Sequence, residues 1–390
     1  MKVLVVAEFY PRVADPALGI WAHRQALAAR DHGADVRVVV LHRPIAPAAR
    51  FRDPDAWRAA LSQPKREVRD GLDVRYLRFV SPPRGRSYAH WGAYAAPGLA
   101  LELRRIRREF PYDLIHAHYA IPAADAVLRA RDHAPLVISE HGGDVFHTAR
   151  LGGSARARVE HAFGAARVVL ANSLGIERAC RELGAHTTRV VHLGTDLTPM
   201  ERRPPEKPTL VTVGQLIARK RQSDVMRAMW VLRDRHPDLR YRLIGDGPER
   251  DSLALLARQL GLEDRVEFTG PLPHEEALKR GRDASVFVMP STDEAFGVAY
   301  VEAMAAGLPA IGARGEPGPE DIASLGHGMR LVAPGDPEAL AREIEHLLDK
   351  DWGARIGAAA QATVAQHFTW DACGAATVAA YDEALRGPGG

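Results

Sequence analysis

Cysteine is almost missing from this chain: Cys180 and Cys373 are the only two in 390 residues. Two thiols build neither a disulfide framework nor a cysteine-based zinc site, and their scarcity fits a reducing compartment. Long apolar runs are missing as well. No stretch approaches the roughly 20 apolar residues of a membrane span. The opening MKVLVVAE carries an apolar run too short for a signal peptide. Neither sign of charge dominates: 52 Lys and Arg face 49 Asp and Glu, for a formal net charge of +3. Nucleic acid is therefore not an expected partner, whereas an anionic ligand or an acidic membrane surface suits the balance. The expected location is the cytoplasm, with peripheral contact on the inner face of the cell membrane as a further option.

Several nucleotide and nucleophile motifs are also missing. The first strand of each half runs into VVAEFYPRVADPALG or VTVGQLIARKRQS, neither of which holds Gly-x-Gly-x-x-Gly. That speaks against a nicotinamide or flavin site. There is no Walker lysine loop and no Gly-x-Ser-x-Gly elbow. No short-period repeat or low-complexity tract interrupts the chain.

What is present is an alternation. Short β-branched runs begin at Lys2, Ala34, Leu72, Asp113, Pro135, Ala166 and Thr188, and again at Pro208, Leu239, Val266, Ala284 and Pro309. Helical patterns separate most of them, the rhythm of parallel sheets covered by helices. The stretch TPMERRPPEKP, from Thr198 to Pro208, holds four prolines in eleven residues and reads as a linker. Two doubly wound α/β domains are expected, over 1–198 and 208–368. The tail from Thr369 reads as one more helix. Ligands of such sheets sit beyond the carboxyl ends of the strands, so functional residues are sought there.

The segment PSTDEAFGVAYVEAMAAGLP follows a strand, and its helix is expected to start near Phe296 or Gly297. A helix N-terminus favours an anion. Glu294 precedes it and Glu302 follows about a turn and a half inside, leaning back over Val298. Carboxylates repel phosphate but suit hydroxyls, so the pair fits a sugar on one side of a diphosphate and a ribose on the other. The plain alternative puts Glu302 on a solvated stripe of the helix. Arg219, Lys220 and Arg221 suit a diphosphate or an ordinary basic loop. Gly245 and Asp246, in LIGDGPER, suit a close ligand approach or only a tight turn. In EHGGDVF, His141 suits a sugar hydroxyl, or a structural role beside a helix-capping Asp144. His116 and His118 share a strand face but lack a third metal ligand at suggestive spacing. Arg104, Arg105, Arg107 and Arg108 read as a solvated helix face before an anionic-lipid contact.

Together these segments resemble the family-4 retaining glycosyltransferases of GT-B fold, over nearly the whole chain. The most specific part is Glu294 and Glu302 with seven residues between them. The segments FYPRVADPALGIWAHRQALAARDHGADVRVVV, IHAHY, EHGGDVF, VVHLGTD, VGQLIARK, LIGDGPER, VEFTGPLP and LVAPGDPEAL support it in order, and the first and third are similar to the branch that builds bacterial cell-surface polysaccharides. The resemblance implies two Rossmann-like domains facing across a cleft, with helix 369–390 crossing back to the first. It implies a nucleotide-sugar donor, most often a UDP-sugar, no cofactor and no obligatory metal. The acceptor would be a glycan, a lipid-linked or a small molecule. Glu294, His141 and Lys220 would be catalytic. Gly19, Gln215, Arg219, Gly245, Asp246, Leu272, Phe296, Gly297, Val298 and Glu302 would hold the donor. This chain departs from the family pattern at Gln215, usually an Arg, at Ala295, commonly a Gly, and at Leu193, often an Asn. The alternatives are a nucleotide-sugar-binding protein without activity, or an epimerase or phosphorylase on the same fold.

Overall fold

The computed structural model describes residues 1–45, 51–197 and 205–386; most of the expected linker, 198–204, lies outside them. The chain divides into two compact units, residues 1–193 with 370–390, and residues 194–369. Thr195 falls with the second unit because its amide donates to the Phe368 carbonyl at 2.9 Å.

The first unit contains β1 (Lys2–Ala7), β2 (Asp35–His42), β3 (Arg66–Arg69), β4 (Leu72–Arg78), β5 (Leu114–His118), β6 (Leu136–Glu140), β7 (Val168–Ala171) and β8 (Thr188–Val190). Their order in the sheet is β3-β4-β2-β1-β5-β6-β7-β8, and every neighbour is parallel except the β3–β4 pair. The chain adds strands on one side of β1 and then returns to place β5 on the other. The β1/β5 seam is thus the switch point at whose carboxyl end a ligand fits. Val3, Val5 and Ala7 point to one face, as the two-residue period requires. There they pack with Ala22, Ala26 and Ala29 of helix Ile20–Asp31 and with Ala380, Tyr381 and Ala384 of helix Trp370–Arg386. Small residues let these two helices approach closely: a Cβ on Gly374 would meet the Ala28 carbonyl oxygen at 2.5 Å. Polar contacts fix the same dock, with Gln25 Nε2 donating to Thr377 Oγ1 at 3.0 Å. The tail therefore forms the expected helix and belongs to the first unit.

The second unit contains β9 (Thr209–Val213), β10 (Arg240–Ile244), β11 (Val266–Gly270), β12 (Val286–Val288), β13 (Ala310–Ala313) and β14 (Met329–Val332). They form an all-parallel sheet in the order β11-β10-β9-β12-β13-β14, with its switch point between β9 and β12. Its core joins Leu210, Tyr241, Leu243, Val286 and Val288 to Val225, Met226 and Met229 of helix Gln222–Val231. Each such buried side chain contributes about 1.5–3 kcal/mol. Two parallel-sheet, Rossmann-like units thus make up the chain, and each has its own core.

Among the described residues, no helix is long and apolar enough to cross a membrane. Arg104, Arg105, Arg107 and Arg108 lie on the exposed side of helix Trp91–Glu109, whose buried side carries Leu99, Leu103 and Ile106.

Candidate functional site

In the second unit the loops leaving β9 and β12 meet at the switch point. Gly214 follows β9, and a Cβ on Gly245, just after β10, would lie 2.0 Å from the Gly214 carbonyl oxygen. Only glycine fits there, and its φ of 139° is one that side chains rarely adopt. The Leu216 amide donates to the Asp246 carbonyl at 3.0 Å, which ties the two strand ends together. The turn then carries Arg219 and Lys220 toward the β12 loop, where the Thr292 amide donates to the Arg219 carbonyl at 2.8 Å. Gln215 is exposed, and its carbonyl accepts from Gln222 Nε2 at 3.0 Å.

Glu294 sits at the centre of this junction. Its Oε2 lies 2.6 Å from Lys220 Nζ and 3.6 Å from Arg219 Nη1, and accepts the Ser291 hydroxyl at 2.8 Å. Burial pushes its carboxyl up, but the Lys220 charge and hydrogen bond, helped by Arg219 and Ser291, hold it below the usual range. Glu294 is therefore an anion. Its backbone is anchored to the loop after β13, the Glu294 amide donating to Glu316 Oε2 at 2.9 Å. Burial raises the Glu316 carboxyl.

Gly297 ends this loop with φ 87° and ψ 68° and opens helix Val298–Ala305. No side chain caps that N-terminus, so its amides and dipole favour an anion. Phe296 is fully buried, its ring 5.7 Å from that of Phe368, so this residue offers the site only its backbone. Ala295 is buried too. In the second turn, Glu302 is not on a solvated stripe, since its side chain is only 16% exposed. Burial, then the Asp196 charge, pushes its carboxyl up to about 7. His274 Nε2 stands 3.6 Å from Glu302 Oε1. Leu272 lies half-buried on the short loop that joins β11 to the helix of His274.

Gly19 and His141 lie in the first unit. Gly19, at φ 63°, caps helix Ile20–Asp31, and a Cβ there would meet the Phe9 carbonyl carbon at 2.1 Å. Trp21 and His141 face one another with ring centroids 6.1 Å apart. His141 Nε2 is 3.0 Å from His118 Nδ1, while His141 Nδ1 is buried without a hydrogen-bond partner. Burial drives the His141 imidazole down to about 3, so it is neutral. Asp144 does not cap its own helix: Oδ2 accepts the Ala120 and Ile121 amides at 2.6 and 3.2 Å, pinning the loop after β5. Burial raises the Glu140 carboxyl, whose Oε1 accepts the Gly142 amide at 2.6 Å. His116 bonds Tyr381 and Ser139 rather than a metal, at 2.7 and 2.8 Å. Among the described residues, no group of three or more His, Cys, Asp or Glu could hold a metal ion. Two Asp-x-Asp triplets, a pattern often linked to metal binding, are helix starts here: Asp53 and Asp349 cap their helices.

Sequence reasoning brings Arg219, Lys220 and Glu294 to one place, and the structure joins them. It does not single out Ser291, Glu316, His274 or Asp196. Glu316 could have been found, because it follows a strand end.

Comparison with known proteins agrees with the fold. The model "Glycosyltransferase Family 4" matches residues 18–199, and "Glycosyl transferases group 1" matches 197–362. A D-inositol 3-phosphate glycosyltransferase of Streptomyces bingchenggensis is 35% identical over 316 residues, 71% of this chain and 68% of that protein. Sucrose-phosphate synthase from Thermosynechococcus elongatus superimposes with a TM-score of 0.79 at 21% identity, over 99% of this chain and all of that one. Anabaena HepE, solved in complex with UDP and glucose, gives 0.71 at 22% identity, over 98% of this chain and 99% of that one. The chain belongs to the group 1, family-4 glycosyltransferases. It has the GT-B type of fold and is an enzyme of the glycosyl-transferring class.

Proposed function

We propose that this enzyme moves a sugar from a nucleoside-diphosphate sugar, a UDP-sugar first, to an acceptor hydroxyl with retention at the anomeric carbon. The observation that carries this reading is the Lys220–Glu294 pair beside the uncapped start of helix Val298–Ala305, at the switch point of the second sheet. The diphosphate would lie on the helix amides with Lys220 and Arg219 as its cations. Glu294 would accept from hydroxyls of the donor sugar, and Glu302 from the ribose. Leu272 would lie at the base, with Gly245 and Asp246 giving the close backbone approach. That HepE was solved with UDP and glucose supports this donor class.

The hard step is departure of the diphosphate from the anomeric carbon. Positive charge builds on the sugar ring while the leaving oxygen gains negative charge. Fixed cations and amides aimed at that oxygen stabilise it. The acceptor oxygen bonds to the anomeric carbon on the face the diphosphate leaves, and its proton passes to the leaving phosphate oxygen. No protein base and no metal takes part in this scheme. The proposed setting is cytoplasmic synthesis of a cell-surface polysaccharide or glycoconjugate, the branch that the first unit's segments resemble.

The test is turnover of UDP-sugars with and without candidate acceptor glycans, following UDP release and the product's anomeric configuration by NMR. UDP release that depends on acceptor, with configuration kept, is expected. An inverted product would end the retaining scheme. Conversion of the donor sugar without acceptor would favour an epimerase, and binding without any UDP release would favour an inactive nucleotide-sugar binder.

A further inference from the structure

Three of the loops at the carboxyl edge of the first sheet each bring an arginine whose charge acts on one carboxyl group, that of Glu8. Glu8 follows β1 directly, and Arg12 comes from the same loop. Arg43 follows β2, and Arg84 comes from the segment after β4. Arg12 Nη2 donates to the Glu8 carbonyl at 2.5 Å. Arg84 Nη2 stands 3.9 Å from Glu8 Oε2, the oxygen that accepts the Tyr88 hydroxyl at 2.8 Å. Trp91 fixes the other two relative to each other, its ring centre 5.2 Å from the Arg43 guanidinium and 6.0 Å from that of Arg84. Arg84 also lies over Tyr88 and Phe9, at 4.1 and 4.8 Å. Aromatic stacking of this kind orders a guanidinium and leaves its edge for a ligand.

The cluster is short of negative charge. Other arginines of this unit are matched at close range: Arg75 has Glu102 at 2.8 Å and Glu109 at 2.6 Å, and Arg107 has Asp132 at 2.6 Å. Arg43 instead donates to the Ser81 carbonyl and hydroxyl, and among the described residues it forms no ion pair. Arg12 Nε is buried without a hydrogen-bond partner. Burial raises the Glu8 carboxyl although all three cations act to lower it. Glu8, with Asp15 acting on Arg12, thus offsets only part of three positive charges, and the raised carboxyl of Glu8 lessens its repulsion of an incoming anion. The site lies beside the β1/β5 switch point, where open α/β sheets take ligands.

We propose that Arg12, Arg43 and Arg84 bind a phosphate group carried by the acceptor. The inference rests on the reading of this chain as a sugar transferase and names the acceptor class for it. A doubly charged phosphate suits a cluster of three guanidiniums better than a singly charged carboxylate does. Arg84, half-exposed, supplies the accessible edge. Arg12, half-buried, adds its charge to the same cluster.

The test is calorimetry on enzyme first saturated with UDP, so that the donor site is filled. Glucose 6-phosphate is titrated against glucose, and vesicles of phosphatidylcholine with phosphatidic acid against vesicles without it. The variants are Arg84→Gln and Arg43→Gln, each with an unchanged unfolding midpoint. The expected result is binding of a phosphate-bearing probe alone, weakened about tenfold or more in both variants, with UDP binding unaltered. Binding of glucose 6-phosphate points to a soluble phosphorylated acceptor, and binding of the phosphatidic acid vesicles to a lipid-borne one. UDP binding with neither phosphate probe taken up, or equal uptake by the variants, overturns the proposal and leaves the donor reading standing. Failure of UDP itself to bind counts against the donor reading. The same titrations, read as wild type against Arg84→Gln, still decide the arginine site.

Discussion

Lys220 and Glu294, 74 residues apart in the chain, form an ion pair of 2.6 Å that joins the loops leaving β9 and β12. Both side chains are nearly covered, so each is the other's main neutralising partner. A diphosphate would draw Lys220 toward itself and free Glu294 for sugar hydroxyls. One bond thus holds the site together and prepares both groups.

Breaking this pair from one side is expected to be costly. Lys220→Met leaves a buried carboxylate and should lose about 3–5 kcal/mol of stability, whereas Lys220→Met with Glu294→Leu should lose clearly less than the two single variants together. Denaturant titration of the four proteins measures this. Turnover by Lys220→Met should fall by at least about a hundredfold, because the leaving group loses its cation. An additive cycle would mean that the two residues do not depend on one another.

Glu302 predicts a dependence on pH. Its carboxyl, raised to about 7, binds its proton more tightly in the folded chain than in the unfolded one. Folding stability should therefore fall as pH rises from about 4.5 to 7, and Glu302→Gln should be the more stable protein at pH 8, by on the order of 2 kcal/mol. UDP affinity should move the other way, rising through about pH 7 as the carboxylate that accepts from ribose becomes available. In Glu302→Gln that rise should vanish. Thermal melts and calorimetry across pH check both halves, and an unchanged affinity slope in the variant would remove Glu302 from the ribose.

The strand-end glycines should resist even alanine. Gly297→Ala would place a Cβ 2.4 Å from the Tyr300 ring at a φ of 87°, and Gly245→Ala would drive one into the Gly214 carbonyl. Each should destabilise by more than about 1 kcal/mol and weaken UDP binding, because each moves a loop that frames the site. Unfolding midpoints together with UDP titration separate these changes from a harmless substitution.

The first unit's histidines should set its acid tolerance. Burial drives His116 and His141 down to about 3. Their stabilising effect is full above pH 6.5 and is lost as pH falls toward 3, because the unfolded chain takes up protons that the folded chain refuses. Titration by NMR should find the His141 ring neutral from pH 5 to 8. A midpoint for His141 inside that range would contradict its burial.

Much of this was legible in the sequence because buried parallel strands announce themselves. The β-branched runs from Lys2 to Ala7 and from Asp35 to His42 need no further context. The strands that went unread, β3 and β14, are both sheet edges. β3 reads Arg-Glu-Val-Arg, without an apolar face, and β14 reads Met-Arg-Leu-Val, an apolar run broken by an arginine and only partly buried. At the site, glycines and charges after strands were readable, since position alone marks them. The Lys220–Glu294 contact was not, because it depends on which strands neighbour one another in the sheet. Nor was the near-neutral state of Glu302, which depends on burial and on Asp196, a residue far away in the chain. The arginines around Glu8 were equally hidden, coming from separate loops whose convergence only the sheet order fixes.

The most direct test of the donor site is calorimetric titration of UDP, GDP and ADP into the wild type and Glu302→Ala at pH 8. One nucleotide, UDP first, should bind clearly and lose at least about 1 kcal/mol of binding in the variant. Equal binding by both proteins, or no binding of any of the three by the wild type, would contradict the donor site built around Glu294, Lys220 and Glu302.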